Sequence, residues 1–233
     1  MEGSANSKNV GNYYALAEYY DELLQDEEAL SLWLRYIEEK PFHTVLELAS
    51  GSGVMASILK KKGYEVTASD ISLQMKECSK TNYDGDYLLL DMTDYHLGRK
   101  FDLVLCICDS INYLYEDELD AFFCCACEHL NDHGRLIFDM HHRKRLEEFR
   151  EQYIEEGYVK GVPYQWTIQS DEYEDTVNEH FTFYTDEGMV QENHTQNVFY
   201  PEKVKKIMEK YFECEMIEDF VEDEKILVVG YKK

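Results

Sequence analysis

The run Val45-Leu46-Glu47-Leu48-Ala49-Ser50-Gly51-Ser52-Gly53 joins an apolar segment to a tight turn of small residues and then to a helical segment. Gly51 and Gly53 lack a Cβ, so their backbone N–H groups can approach a ligand that a side chain would block. The helix that follows offers a partial positive charge suited to a carboxylate or phosphate. Taken alone, Gly51-Ser52-Gly53-Val54-Met55-Ala56 also fits the G-x-G-x-x-A turn of dinucleotide-binding folds. Two further acids sharpen the reading. Asp70 closes the next apolar run, about 20 residues after the glycines, where an acid accepts hydrogen bonds from ribose hydroxyls. Asp91 follows Leu88-Leu89-Leu90 and precedes Met92. A carboxylate there can accept from an adenine amino group, with Ile71 and Met92 sandwiching the ring. Met75 packs in its helix and could border the same pocket. Glu47, inside the first strand, is less expected of a nicotinamide fingerprint.

The histidines are less specific. His141 and His142 follow Asp139 at the C-terminal end of a strand, the end where open α/β sheets bind ligands. Asp and two His could hold a metal, but solvated residues on a loop rim are the expectation, and no metal is assigned. His194, in Glu192-Asn193-His194-Thr195-Gln196-Asn197, reads as a strand histidine facing its sheet partner or, with His141 as the other candidate, as a catalytic residue. The 7 cysteines show no metal spacing. Cys106 and Cys108 alternate in a strand and Cys124, Cys125 and Cys127 lie on a helix, so buried free thiols in a reducing cytoplasm are expected.

Three rhythms position these residues. From Tyr13 to Glu39 apolar residues recur at helical spacing, which predicts two helices with a break near Asp26. From Thr44 to Met140 short apolar strands alternate with helices: strands at Val45–Leu48, Val66–Ser69, Tyr87–Leu90, Leu103–Ile107 and Leu136–Met140. Strands without polar alternation, separated by helices, predict a parallel sheet covered on both faces. From Val162 to Phe199 the chain is rich in Thr, Tyr, Phe and Val with acidic turns, which predicts an antiparallel meander of about three strands. A helix after Pro201 and a closing hairpin complete the chain.

Composition excludes some partners. Asp and Glu number 48 against 23 Lys and Arg, a formal net charge of −25. A polyanion or an anionic membrane meets repulsion from such a surface. Lys60, Lys61 and Lys62 read as a solvated helix end. Nucleic acid and membrane are therefore not expected partners, and a neutral or cationic small substrate is. Residues 1–12 are expected to be a disordered tail without an export signal, and the protein to be cytoplasmic, a monomer or homodimer.

With these motifs in order, the chain resembles a class I S-adenosylmethionine-dependent methyltransferase. It is most similar to small bacterial members with an N-terminal helical cap and an antiparallel lid before the last two strands. The family's acid-x-Gly-x-Gly-x-Gly motif falls on Glu47, Ala49, Gly51 and Gly53, with Ala49 in place of the first glycine. The resemblance places the ribose acid at Asp70 and the adenine acid at Asp91. It places the loop under the methionine moiety at Cys108 to Tyr113, Asp109 included. It matches Tyr13, Tyr20 and Asp21 to the helix that closes over the cofactor. Asn197 stands where similar members carry Arg.

The resemblance implies a doubly wound Rossmann-like α/β fold with a seven-stranded, mostly parallel sheet and an antiparallel β lid inserted before the last two strands. Residues 13–140 and 200–233 would form the methyltransferase domain, with 13–40 as its cap, and 141–199 the lid. The implied reaction is methyl transfer from S-adenosylmethionine to a small-molecule acceptor. An NAD(P)-dependent oxidoreductase and a non-catalytic adenosylmethionine-binding partner protein are the alternatives.

Overall fold

The computed structural model describes residues 13–24, 27–38, 42–221 and 224–233. The expected tail over residues 1–12 and the break expected near Asp26 lie outside them.

Five strands run parallel: Thr44–Glu47 (β1), Glu65–Asp70 (β2), Asp86–Leu89 (β3), Phe101–Cys106 (β4) and Leu130–His141 (β5). The central strands β1, β2 and β4 are buried along almost their whole length, as covering of both faces requires. Successive residues feed opposite cores. Val45, Leu103, Ile137 and Leu227 join Trp33, Ile37 and Leu59 on one face, while Leu46, Val104, Phe138 and Val228 join Phe122 and Phe123 on the other. Phe212–Val221 (β10) and Lys225–Lys232 (β11) form the closing antiparallel hairpin, and β11 pairs antiparallel with β5. The sheet has seven strands in the order β10-β11-β5-β4-β1-β2-β3. The order reverses between β1 and β4, which opens a crevice beyond their C-terminal ends.

Helices Leu16–Leu24 (α1), Glu27–Glu38 (α2), Val54–Lys61 (α3), Leu73–Ser79 (α4), Leu119–Glu128 (α5), Lys144–Glu148 (α6) and Pro201–Met208 (α7) surround the sheets. Two 3₁₀ turns, Ser110–Tyr113 and Glu116–Glu118, lead from β4 into α5.

The second sheet is an antiparallel meander of Tyr153–Val159 (β6), Val162–Asp171 (β7), Thr176–Thr185 (β8) and Gly188–Asn197 (β9); β7 to β9 are the three strands expected over residues 162–199, and β6 precedes that stretch. Strand β6 is an acidic, mostly exposed edge that lacks a strand's apolar alternation. Its pairing is fixed from outside. Lys160 and Gly161, at φ 49° and 81°, make a tight hairpin turn, and the Tyr164 ring lies over Gly157, where a Cβ would come within 3.0 Å. Leu16 and Tyr19 of α1 are buried against Val159, Phe181 and Phe183 of this sheet, so α1 bridges it to the glycine turn.

Candidate functional site

A cavity of about 490 Å³ opens where the crevice meets α1 and the antiparallel sheet. The glycine turn forms one wall. Ser50 N–H donates to Ser69 O, Tyr87 OH donates to Gly51 O at 2.6 Å, and Asn82 Nδ2 donates to Ser52 O at 3.1 Å. Asp21 of α1 accepts from Ser52 Oγ and from Asn82 Nδ2, which ties the helical cap to the turn.

The two glycines do different work. At Gly51 an added Cβ would meet nothing nearer than Tyr20 Cε1 at 3.9 Å, on the cavity side. At Gly53 it would meet Tyr83 Cβ at 3.0 Å and Ser79 Cβ at 3.3 Å. Gly53 therefore lets α4 and its following loop pack against α3 and does not line the cavity, contrary to the expectation that both glycines clear the way for a ligand. Ala49 holds φ 50°, the left-handed conformation that favours the glycine it replaces.

Asp70 closes β2 with both oxygens turned to backbone: Gly51 N–H donates to Oδ2 at 3.0 Å and Ser72 N–H to Oδ1 at 2.8 Å. Burial raises its pKa while these amides oppose the rise. Glu47 is 2% exposed and its Oε2 has no hydrogen-bond partner. Burial pushes its pKa up to about 8. An acceptor oxygen orphaned on a cavity wall needs a donor. Asp91 lines the same cavity, with Oδ1 accepting from Thr93 N–H at 2.9 Å and Thr93 Oγ1 at 2.7 Å. Ile71 and Met92 present apolar surface beside it, Ile71 being exposed, while Met75 is buried in α4 with an edge on the cavity.

Beyond β4 the chain bends through two left-handed residues, Cys108 (φ 61°) and Asp109 (φ 57°). Asp109 Oδ2 lies 2.8 Å from Lys225 Nζ and its Oδ1 lies 3.5 Å from His141 Nδ1. Burial would raise the Asp109 carboxyl, but Lys225 and His141 hold it below its ordinary value. Asp139 is pushed up to about 7 by burial.

Two expectations need correction here. His141 is buried, not a solvated rim residue, because β5 extends to it and pairs it with Lys225. Its Nε2 lies 2.9 Å from Gln196 Oε1, and its backbone N–H donates to Asn112 Oδ1 at 3.1 Å. Of the cysteines only Cys106 is buried. Cys108 is exposed at the bend, and Cys78, Cys124, Cys125, Cys127 and Cys214 are half-buried because their helix and edge-strand positions face partly outward. Among the described residues no group of three His, Cys, Asp or Glu is placed to hold a metal.

The opposite wall comes from the antiparallel sheet and the cap. His194 is 2% exposed, with Tyr13 and Tyr113 beside it on the cavity wall. Glu179, its cross-strand partner, and Trp166 complete this wall. Burial raises the Glu179 pKa. Asn197 bridges to the 3₁₀ turns: its carbonyl accepts from Asn112 Nδ2 at 2.6 Å and its own Nδ2 donates to Leu114 O at 2.9 Å. The cavity thus gathers Tyr13, Tyr20, Glu47, Ala49, Gly51, Asp70, Ile71, Met75, Asp91, Met92, Cys108, Asp109, His141 and His194, and leaves out Gly53. Sequence reasoning missed Glu179, Lys225 and the role of Glu192. The spacing Glu192-x-His194, two residues on one strand face, is the signal that was available.

Residues 45–134 match a family model described as a methyltransferase domain. A Geobacillus chain provisionally named a methyltransferase is 25% identical over 185 residues, covering 74% of each chain. A similarly named Bacillus subtilis chain is 31% identical over 146 residues, covering 58% of each. Among solved structures, an S-adenosylmethionine-dependent methyltransferase from Clostridium acetobutylicum superposes with a TM-score of 0.78 at 22% identity, over 94% of this chain and 98% of that one. The sugar N-methyltransferase KedS8 from Streptoalloteichus superposes with a TM-score of 0.81 at 20% identity, over 100% and 96%. Among the described residues no helix is long and apolar enough to cross a membrane.

Proposed function

We propose that the chain is a class I S-adenosylmethionine-dependent methyltransferase that methylates a small neutral or cationic acceptor in the cytoplasm. The observation that carries this reading is one continuous cavity joining two chemically distinct walls. The Gly51 turn with Glu47, Asp70 and Asp91 suits an amino-acid nucleoside. The wall of Tyr13, Tyr113, Trp166, Glu179 and His194 suits an acceptor.

The residues fit S-adenosylmethionine. The orphaned Glu47 oxygen answers an ammonium, Asp70 accepts from ribose hydroxyls, and Asp91 with Ile71 and Met92 takes the adenine. The group supplies an activated methyl carbon and a neutral leaving group. The chain itself contributes alignment and a water-poor enclosure. Tyr13 and Tyr20, positioned by α1, cover the junction between the two walls. Aromatic faces and the Glu179 carboxylate favour a cation over an anion as acceptor. Solved structures with this fold include a sugar N-methyltransferase and an amino pentose methyltransferase, which supports an amine-bearing acceptor.

The test is a methyl-transfer screen over a metabolite library rich in amines, read by adenosylhomocysteine release. Turnover of a small amine is the expected result. Binding of S-adenosylmethionine without turnover of any compound would favour a non-catalytic partner protein. Binding of NAD(P)H alone would favour an oxidoreductase.

A further inference from the structure

Glu192 and His194 lie two residues apart on β9 and share one face of the strand. The Glu192 side chain stands behind His194, outside the cavity lining. Its Oε2 accepts the N–H groups of Tyr14, Ala15 and Leu16 at 3.2, 2.9 and 3.0 Å. These amides enter α1, where helix-start donors have no partner within the helix and where a negative charge is favoured by the dipole. Its Oε1 accepts from His194 Nε2 at 2.8 Å. A carboxylate only accepts, so Nε2 carries the hydrogen and Nδ1 presents a lone pair. Tyr113 OH lies 3.3 Å from that nitrogen, and Tyr13 OH lies 2.8 Å from Tyr113 OH.

Resting on the methyltransferase reading, we propose that Glu192 is a positioning residue that holds His194 as the proton sink for a protonated amine acceptor, with Tyr113 as the relay. Burial keeps the Tyr13 and Tyr113 phenols protonated well beyond neutral pH, so a tyrosine passes a proton on and does not store one. The ammonium's N–H bond breaks, its proton passing to Tyr113 Oη and its electron pair staying on nitrogen, as Tyr113 gives its own proton to His194 Nδ1. The imidazolium is then paired with the Glu192 carboxylate. The freed nitrogen lone pair forms the N–CH₃ bond as the S–CH₃ bond breaks, and that electron pair stays on sulfur. The titratable groups facing the imidazole are Glu192 on its own strand, Glu179 opposite on β8, Tyr13 before α1 and Tyr113 on the 3₁₀ turn; the Phe181 ring flanks it as well. Glu179 is placed to hold the arriving ammonium. Because one carboxylate also caps α1, seating of the cap and the histidine tautomer depend on the same group.

The test is nitrogen NMR of ¹⁵N-histidine-labelled protein, free and saturated with adenosylhomocysteine. The wild type should show His194 with hydrogen on Nε2. Glu192→Gln, whose amide can donate to Nε2, should move the hydrogen to Nδ1. It should also lower turnover of the best amine from the acceptor screen by more than about tenfold, the loss of one charge-assisted hydrogen bond, while the adenosylhomocysteine Kd stays within about twofold. Tyr113→Phe should keep the wild-type tautomer and lose turnover. The proposal is overturned by an Nδ1–H tautomer in the wild type, by an unchanged tautomer in Glu192→Gln, or by equal losses of binding and turnover. Absence of adenosylhomocysteine binding to the wild type would instead overturn the methyltransferase reading itself.

Discussion

Lys225 Nζ sits 2.8 Å from Asp109 Oδ2 at the mouth of the cavity, with Asp139 Oδ2 3.5 Å away on its other side. One ammonium thus faces two carboxylates, the half-buried Asp109, which is held low, and the fully buried Asp139, which burial pushes up to about 7. Removing the cation leaves a buried charge without its partner, which costs far more than the pair contributes. Lys225→Met should therefore lower unfolding free energy by about 3 kcal/mol, measured by urea denaturation at pH 7. A change within about 0.5 kcal/mol would show that solvent already screens the cluster.

Glu47 makes stability depend on pH. Its folded pKa, about 8, lies above the ordinary carboxylate value. Such a group contributes stability that is full below its unfolded pKa and is lost as pH rises through the folded one. Between about pH 5 and 8 the wild type should lose up to about 1.4 kcal/mol per pH unit relative to Glu47→Gln. Paired denaturation curves across that range check the sign, and a parallel pair of curves would refute the buried, orphaned carboxyl.

The two glycines should separate stability from binding. Gly53→Ala meets Tyr83 and Ser79 in left-handed backbone (φ 78°) and should cost more than about 2 kcal/mol in unfolding free energy. Gly51→Ala has open space beside it (φ 54°) and should cost about 1 kcal/mol from backbone strain. It should weaken S-adenosylmethionine binding in a protein that still folds. Equal stability losses would contradict the packing role of Gly53.

Much of this was legible in the sequence because it depends on local pattern. The parallel strands read as short, mostly apolar runs between helical segments, and the glycine turn with Asp70 needs only spacing along one crossover. What was not legible depends on distant chain. The edge strand β6 is fixed by Tyr164 and a hairpin turn rather than by its own residues. His141 looked like a rim residue until Gln196 and the β11 pairing enclosed it. The Glu192 bonds to the start of α1 span 176 to 178 residues of sequence.

Charge predicts a further absence of binding. The Lys60–Lys62 cluster is partly neutralised, with Lys60 Nζ 2.6 Å from Asp84 and Lys62 Nζ 2.5 Å from Glu38. With a net charge of −25, counterion release has no basic footprint to work with. Polarisation assays with transfer RNA and duplex DNA at physiological salt should show no binding, and micromolar affinity with a steep salt slope would revive a nucleic-acid substrate.

The central claim is that the Gly51–Asp70 wall holds S-adenosylmethionine. The most direct measurement is calorimetric titration of the wild type, Asp91→Asn and Asp70→Ala with S-adenosylmethionine, with NADH as the control ligand. The account predicts binding to the wild type and a smaller loss in Asp91→Asn, whose amide keeps one acceptor oxygen. It predicts a loss of more than about 1.4 kcal/mol, tenfold in affinity, in a folded Asp70→Ala protein. Unchanged affinity in Asp70→Ala, or heat of binding from NADH alone, would contradict it.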